Sequence, residues 1–248
     1  MAKTSNKKLV KSRKLYHGTT ASIAKTACSY KGLVPYEIES LCGVSQNIRA
    51  STLKNICLTE FYPAFMAFDA SYGKDKWGII EIDVSNLCPE QLLPHEGYLI
   101  DKDKSNFISE ESRLKKMNQL REECIVHKRK WKDSLNDFGF CLYSDIIPIS
   151  AITRVAIYDP YSNPIITKAA SNVFLGEKFH KSNQNRQSLL VKWILGEYVD
   201  PSEWFGKDEY LKLPYSEKAI ISQHIMNKSG LDIFYYSDKD NSKKISWW

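Results

Sequence analysis

Lys14-Leu15-Tyr16-His17-Gly18-Thr19-Thr20 is the stretch on which the fold of this chain turns. Lys14 to His17 predicts a short strand. Gly18-Thr19-Thr20 breaks it, and a small helix follows from Ala21 to about Tyr30 with Thr20 or Ser22 as its cap. A histidine in such a place is by itself ordinary, a core or surface group with a satisfied hydrogen bond; what surrounds it gives it meaning. Outward from this stretch, Gly32 ends the helix, Leu33-Val34-Pro35 starts a loop, and residues 36–54 lack periodicity, which makes them a candidate substrate-facing loop. Asn55-Ile56-Cys57-Leu58-Thr59 reads as a strand. Pro63 opens a helix over Ala64–Ser71, with Ala64, Phe65, Phe68 and Tyr72 near helical spacing, and Gly73 stops it.

Trp77-Gly78-Ile79-Ile80-Glu81-Ile82-Asp83-Val84 is the strongest strand in the chain by its β-branched content and is expected to be central. Residues 87–107 read as loops, Arg121–Val126 as a strand, Pro148–Ile152 as a short element and Arg154–Tyr158 as a last strand. The turn-rich Asp159-Pro160-Tyr161-Ser162-Asn163-Pro164 marks a boundary. Beyond it 185–197, 202–210 and 216–227 look helical, in a segment rich in Trp, Tyr and Phe. The expected organisation is a basic arm over 1–14, a main α+β domain over 15–160, and a small helical, aromatic-rich appendage over 161–248. Of its aromatic side chains, Trp193, Trp204, Tyr235, Tyr236, Trp247 and Trp248 suit either packing or stacking on bases.

Composition narrows the class. With 43% hydrophobic and 26% charged residues the 248-residue chain lies in the globular range, and no apolar run approaches the ~18 residues a membrane span needs. The basic N-terminus leads into Tyr16-His17-Gly18-Thr19-Thr20 instead of an apolar core, so no secretory signal is expected. Six cysteines occur without a CxxC pair, which argues against a zinc site and for reduced thiols in a cytoplasmic protein. The formal charge of +6 is concentrated at Lys3, Lys7, Lys8, Lys11, Arg13 and Lys14. A second basic cluster, Arg113, Lys115, Lys116, Arg121, Lys128, Arg129, Lys130 and Lys132, surrounds Glu122 and Glu123. Such clusters attract phosphates or serve as solvated helix faces. Neither GxGxxG after a strand nor GxxxxGK[ST] occurs, which disfavours Rossmann and P-loop proteins. His95-Glu96 lacks a third ligand at diagnostic spacing and reads as loop.

Three segments in order, Leu15-Tyr16-His17-Gly18-Thr19-Thr20, Cys57-Leu58-Thr59-Glu60-Phe61-Tyr62 with its following helix, and Glu123-Cys124-Ile125-Val126, resemble the His-type branch of the ADP-ribosyltransferase superfamily. In that branch a strand ending in His-Gly-Thr precedes a strand–helix unit, and a catalytic Glu opens a later strand. The likeness covers roughly residues 14–159 and is closest in form to DarT-like bacterial toxins that modify nucleic acid. The arginine that those toxins carry on their middle strand has no equivalent at Leu58-Thr59, and 127–145 is longer than expected.

The resemblance implies split antiparallel sheets around an NAD+ cleft, with NAD+ as co-substrate and no metal. It implies that His17 hydrogen-bonds the adenosine ribose, that Gly18 admits the nicotinamide amide to the backbone, and that Thr19 and Thr59 assist. Phe61, Tyr62 and Phe68 lie where the family stacks the nicotinamide ring, although Phe68 suits core packing better. Breaking the nicotinamide–ribose bond passes through an oxocarbenium-like state that a carboxylate stabilises. Glu123 is the expected catalytic acid, with Glu122 the alternative because only one of two adjacent strand residues can face the site. The basic residues Arg113, Lys115, Lys116, Arg121 and Lys128 make DNA or RNA the expected substrate, and the toxin likeness implies an antitoxin partner. The rivals are transfer to a protein and a nucleic-acid-binding module that has lost the chemistry; an RNA 2′-phosphotransferase is disfavoured because its arginine-rich signature is missing.

Overall fold

Strand β1 (Lys14–Thr20) lies in the middle of a large sheet in the computed structural model, and the rest of the fold is built around it. The structure describes residues 13–29, 32–35, 55–71, 75–95, 98, 109, 111–112, 115, 119, 122, 130–164, 166–167, 181–205, 207–237 and 240–245. In chain order β1 is followed by α1 (Ala21–Ser29), β2 (Gly32–Leu33), β3 (Ile56–Thr59), α2 (Pro63–Ala70), β4 (Trp77–Asp83) and β5 (Leu92–Pro94). Then come α3 (Lys130–Phe138), β6 (Phe140–Tyr143), β7 (Ile147–Pro148), β8 (Ile152–Tyr158), α4 (Lys181–Ile194), α5 (Pro201–Phe205), α6 (Lys207–Lys212), α7 (Tyr215–Met226), β9 (Leu231–Ser237) and β10 (Asp240–Ile245). Eight strands form one sheet in the order β10-β9-β8-β4-β1-β3-β6-β5, its pairings antiparallel, while β2 and β7 form a separate pair.

Side-chain alternation assigns the two faces of the sheet to two cores. Leu15, Leu58, Ile80, Ile82, Val155 and Ile157 face a core shared with Ala24 and Ala27 of α1 and Trp131 and Leu135 of α3. Ile79, Trp77, Ala156, Tyr158 and Ile233 face the opposite core, with Ala64 and Ala67 of α2 and Leu190, Val191, Trp193 and Ile194 of α4. Trp77 and Tyr158 meet edge to face at 5.3 Å, and Tyr158 meets Trp193 in the same way at 5.6 Å. The α+β class is observed, with helices against both faces of the sheet.

Two expectations change. The segment 127–145, to which the sequence assigned no element, contains α3 and the internal strand β6, which runs between β3 and β5. The spacing of Trp131, Ser134, Leu135 and Phe138, buried or half-buried between exposed Lys132, Asp133, Asn136 and Asp137, is that of a one-sided helix. The region after Asp159 is not a helical appendage. β9 joins β8 through the pairs Arg154–Tyr235 to Tyr158–Leu231, and α4 covers the sheet, so the turn at 159–164 connects elements that share one core.

The join is polar as well as apolar. Glu81, in the middle of β4, is buried, and Arg154 of β8 meets it with Nε at 3.0 Å from Oε2. Nη2 of Arg154 also reaches Glu81, and it lies 2.8 Å from Oε1 of Glu197 just after α4. Helix α4 ends in a Schellman motif: Gly196 has φ of 81°, its N–H donates to Trp193 O at 3.0 Å, and Glu197 N–H donates to Lys192 O at 2.9 Å. Two cations sit at this negative end of the helix dipole. Arg154 Nη1 donates to Leu195 O at 3.3 Å, and Lys228 Nζ donates to Trp193 O at 2.9 Å while lying 4.3 Å above the Trp193 ring.

Candidate functional site

His17 stands on β1 at the place where the sheet is least closed. Toward β4, β1 pairs through all seven of its residues, but toward β3 it has the single pair Tyr16–Thr59. The register would next set Gly18 against Cys57, and no rung forms there. The His17 ring crosses this seam instead, with Nδ1 2.9 Å from the carbonyl oxygen of Cys57. A carbonyl only accepts, so Nδ1 carries the proton and the neutral ring presents a lone pair at Nε2. Burial lowers the imidazole pKa below its ordinary 6.5 more than the bond to Cys57 raises it, so the ring is neutral at pH 7.

Gly18 is glycine for a reason the sequence does not display. A Cβ there would lie 1.8 Å from Pro63 O and 2.8 Å from Ala67 N, so the first turn of α2 occupies the space that a side chain would need. Side chains stand perpendicular to a sheet, whereas N–H and C=O lie in its plane. The missing Cβ therefore serves the packing of α2. Any ligand at Gly18 would meet its peptide edge on the β3 side. Thr19, on the His17 face, is buried.

Thr59 is fully buried at the end of β3. Its hydroxyl donates to Gly139 O at 2.7 Å and accepts from the N–H groups of Phe61 and Tyr62, each at 3.2 Å. One proton and two lone pairs are thus all used within the protein, which leaves Thr59 no capacity to bind a cofactor. Tyr62 is likewise fully buried, tilted against Phe140 at 5.6 Å, and desolvation raises its phenol to about 12 against the opposing pull of a hydrogen bond to Gln184 of α4. Phe61 is half-buried and meets Tyr62 edge to face at 6.2 Å. Phe68 lies in the α2–α4 core, edge to face on Trp77 at 6.1 Å, so it is a packing residue there. The structure brings His17, Gly18, Thr19, Thr59, Phe61 and Tyr62 around the β1–β3 seam and the start of α2, and Phe68 lies apart.

Glu123, Arg113, Lys116, Arg121 and Lys128 lie outside the described residues. Lys115 and Glu122 are described; both are exposed and helical. The strand expected over 121–126 is therefore not extended at Glu122. No other described strand opens with a glutamate.

The sequence reading passed over Cys57, whose carbonyl fixes the imidazole tautomer; a backbone atom leaves no trace in residue type. It also passed over the buried ion network. Glu81 lies opposite Tyr16 across β1–β4. Burial first, and then the Glu81 charge, raise the Tyr16 phenol to about 12. Burial alone would lower the Arg154 pKa, but the carboxylates of Glu81 and Glu197 outweigh it and hold the guanidinium above its usual value. The signal was present, an acid in the otherwise apolar run Trp77–Ile82. Among the described residues no group of three His, Cys, Asp or Glu side chains could hold a metal ion, and no helix is long and apolar enough to cross a membrane.

Fold and site together define a mixed α/β protein with a large antiparallel sheet and a histidine at its weakest internal seam. Among solved structures, EcPltA is similar over 62% of this chain and 81% of its own, with a TM-score of 0.34 and 11% identity, too low to place the chain in a family. No protein-family profile matches the sequence, and no curated protein matches it.

Proposed function

We propose that this chain is a mono-ADP-ribosyltransferase that takes ADP-ribose from NAD+ and passes it to a nucleobase in DNA or RNA. The observation that carries the reading is His17, a neutral imidazole fixed at Nδ1 across a seam where β1 and β3 share one rung. Its Nε2 is an acceptor suited to a ribose hydroxyl, and the peptide edge of Gly18 beside it offers an in-plane donor and acceptor to a carboxamide. Phe61, half-buried at the start of α2, supplies an apolar ring face nearby. The order of elements also agrees with the resemblance: a His-Gly-Thr strand, then the strand–helix unit β3–α2.

In the proposed reaction the bond between the nicotinamide nitrogen and the ribose C1′ breaks, nicotinamide leaves with the bonding electron pair, and a base nitrogen or oxygen forms the new bond to C1′ and gives up its proton to the Glu123 carboxylate. Glu123 is the proposed carboxylate that stabilises the oxocarbenium-like state, with Glu122 as the alternative. The basic residues Arg113, Lys115, Lys116, Arg121 and Lys128 favour a nucleic-acid acceptor over a protein. A toxin role and a neutralising antitoxin belong to the same proposal.

The test is incubation with NAD+ labelled in its adenylate half, together with DNA, RNA and cell protein, followed by separate nuclease and protease digestion. The expected result is label on nucleic acid that nuclease releases. It should fall by about 10²-fold or more in Glu123→Gln, in line with the loss of one group that stabilises transition-state charge, while NAD+ still protects that variant against thermal unfolding. Label that survives nuclease but not protease would move the acceptor to protein. No label and no NAD+ protection in the unaltered protein would leave a binding module without the chemistry.

A further inference from the structure

Three strands and a helix meet at one residue. Thr59 is the β3 member of the one β1–β3 pair, opposite Tyr16, and on its other side it pairs with Phe140 of β6. Its hydroxyl binds the carbonyl of Gly139, the residue that enters β6 with φ of 87°, and the two amides that start the turn into α2. One turn later, Pro63 O of α2 presses on Gly18, and two residues before Thr59 on β3, Cys57 O holds His17. The two carbonyls that touch β1, Cys57 O at His17 and Pro63 O beside Gly18, are therefore tied through short covalent paths to one buried oxygen.

We propose that Thr59 is a positioning residue, one that touches no ligand and sets the spacing of the β1–β3 seam by tying the end of β3, the first turn of α2 and the entry to β6 to a single hydroxyl. The consequence for NAD+ rests on the reading of the seam as the NAD+ site; the consequence for His17 does not. Geometry explains why a hydroxyl is used. Gly139 O needs a donor, while the amides of Phe61 and Tyr62 need an acceptor, and a serine or threonine hydroxyl serves all three from one point. An apolar side chain of the same shape serves none. The amides would then seek other acceptors, the turn would open, and α2 would be free to shift over Gly18.

The experiment compares Thr59→Ser, which keeps the hydroxyl, with Thr59→Val, which keeps the shape and removes it. Nitrogen and carbon NMR signals of the His17 ring are followed against pH in the full chain. In the unaltered protein and in Thr59→Ser, the expected ring is the Nδ1–H tautomer, titrating below 6.5. In Thr59→Val the tautomer preference is expected to be lost and the titration to move back toward 6.5. Where the reading of the NAD+ site holds, kcat/KM for NAD+ falls by about 10²-fold in Thr59→Val, as for a misplacement on the order of 1 Å, and recovers in Thr59→Ser. Should Thr59→Val fail to fold, Thr59→Cys replaces it, since a thiol is a poor donor and acceptor at the same place, and an intermediate shift is expected. A folded Thr59→Val or Thr59→Cys with unaltered His17 signals overturns the proposal, as does Thr59→Ser shifting as far as Thr59→Val. A protein that shows the His17 response but never turns over NAD+ keeps Thr59 as the anchor of the seam and rejects the transferase reading alone.

Discussion

The imidazole of His17 is neutral for a reason that reaches into stability. Burial holds its pKa below 6.5, so the folded chain resists protonation at this ring while the unfolded chain accepts a proton near 6.5. From pH 6.5 down to the folded pKa the unfolded state binds more protons, and the folded state loses stability as pH falls through that window. The urea midpoint of the unaltered protein should therefore drop between pH 7.5 and pH 5 by more than that of His17→Gln, which has no ring to titrate. Equal drops would remove His17 from the acid response and would mean that its ring takes up protons as readily in the fold as out of it. The same lack of charge matters for binding, since a neutral Nε2 lone pair discriminates for a hydroxyl or amide donor and gives no Coulomb attraction to phosphate.

Among the elements, helix α4 carries a Schellman turn and two cations at its C-terminal end. Lys228 donates to the Trp193 carbonyl of α4 and to that of Glu197 just beyond it and covers the Trp193 face, and burial pushes the Lys228 ammonium down to about 8. A lysine pKa lowered on folding means that the unfolded chain holds the proton longer, so stability should rise as pH goes from about 8 toward 10, before tyrosines titrate. Replacing Lys228 with Met keeps an apolar stem over Trp193 and should abolish that rise in thermal melts; a rise that persists assigns it to another group. This end of the helix also shows why part of the fold was readable and part was not. The strand at Trp77 and the helix begun by Pro63 were legible because their own residues announce them, by β-branched content and by proline at the first turn. The four-residue β6 is buried on both faces, so Phe140-Cys141-Leu142-Tyr143 carries no alternation, and β9 carries its pattern Leu231-Asp232-Ile233 in a stretch that its aromatic content disguised. At the site, His17 and Gly18 were visible as residue types. The function of Gly18 was not, because it depends on Pro63 and Ala67, which only packing brings near. Thr59 suggested a ligand contact for the same reason, since sequence cannot show that Gly139, Phe61 and Tyr62 use its hydroxyl completely.

At the scale of the whole molecule, the segment after Asp159 is required for the sheet and core to close. Trp77, Ile79 and Tyr158 are fully buried, and the residues that cover their face include Leu190, Trp193 and Ile194 of α4 and Leu231 and Ile233 of β9. The buried carboxylate of Glu81 keeps its Arg154 partner in a fragment ending at residue 160, but Glu197 and the Leu195 carbonyl that also hold that guanidinium are lost. Re-exposing a large apolar side chain costs about 1.5–3 kcal/mol, so three of them approach the ~5–15 kcal/mol that separates a typical folded domain from its unfolded chain. A fragment spanning 1–160 should therefore lack a cooperative urea transition and near-ultraviolet dichroism and should bind a dye that reports exposed apolar surface. Within the full chain, Arg154→Met tests the polar half of the same junction: Glu81 would be left buried without its cation, a change that costs ~3–5 kcal/mol and should be read as a lowered urea midpoint at constant slope. A fragment 1–160 that folds cooperatively, with Arg154→Met as stable as the unaltered chain, would show that the C-terminal elements are an addition to a self-sufficient sheet. In that case the weak β1–β3 seam would have to be held open by the N-terminal half alone.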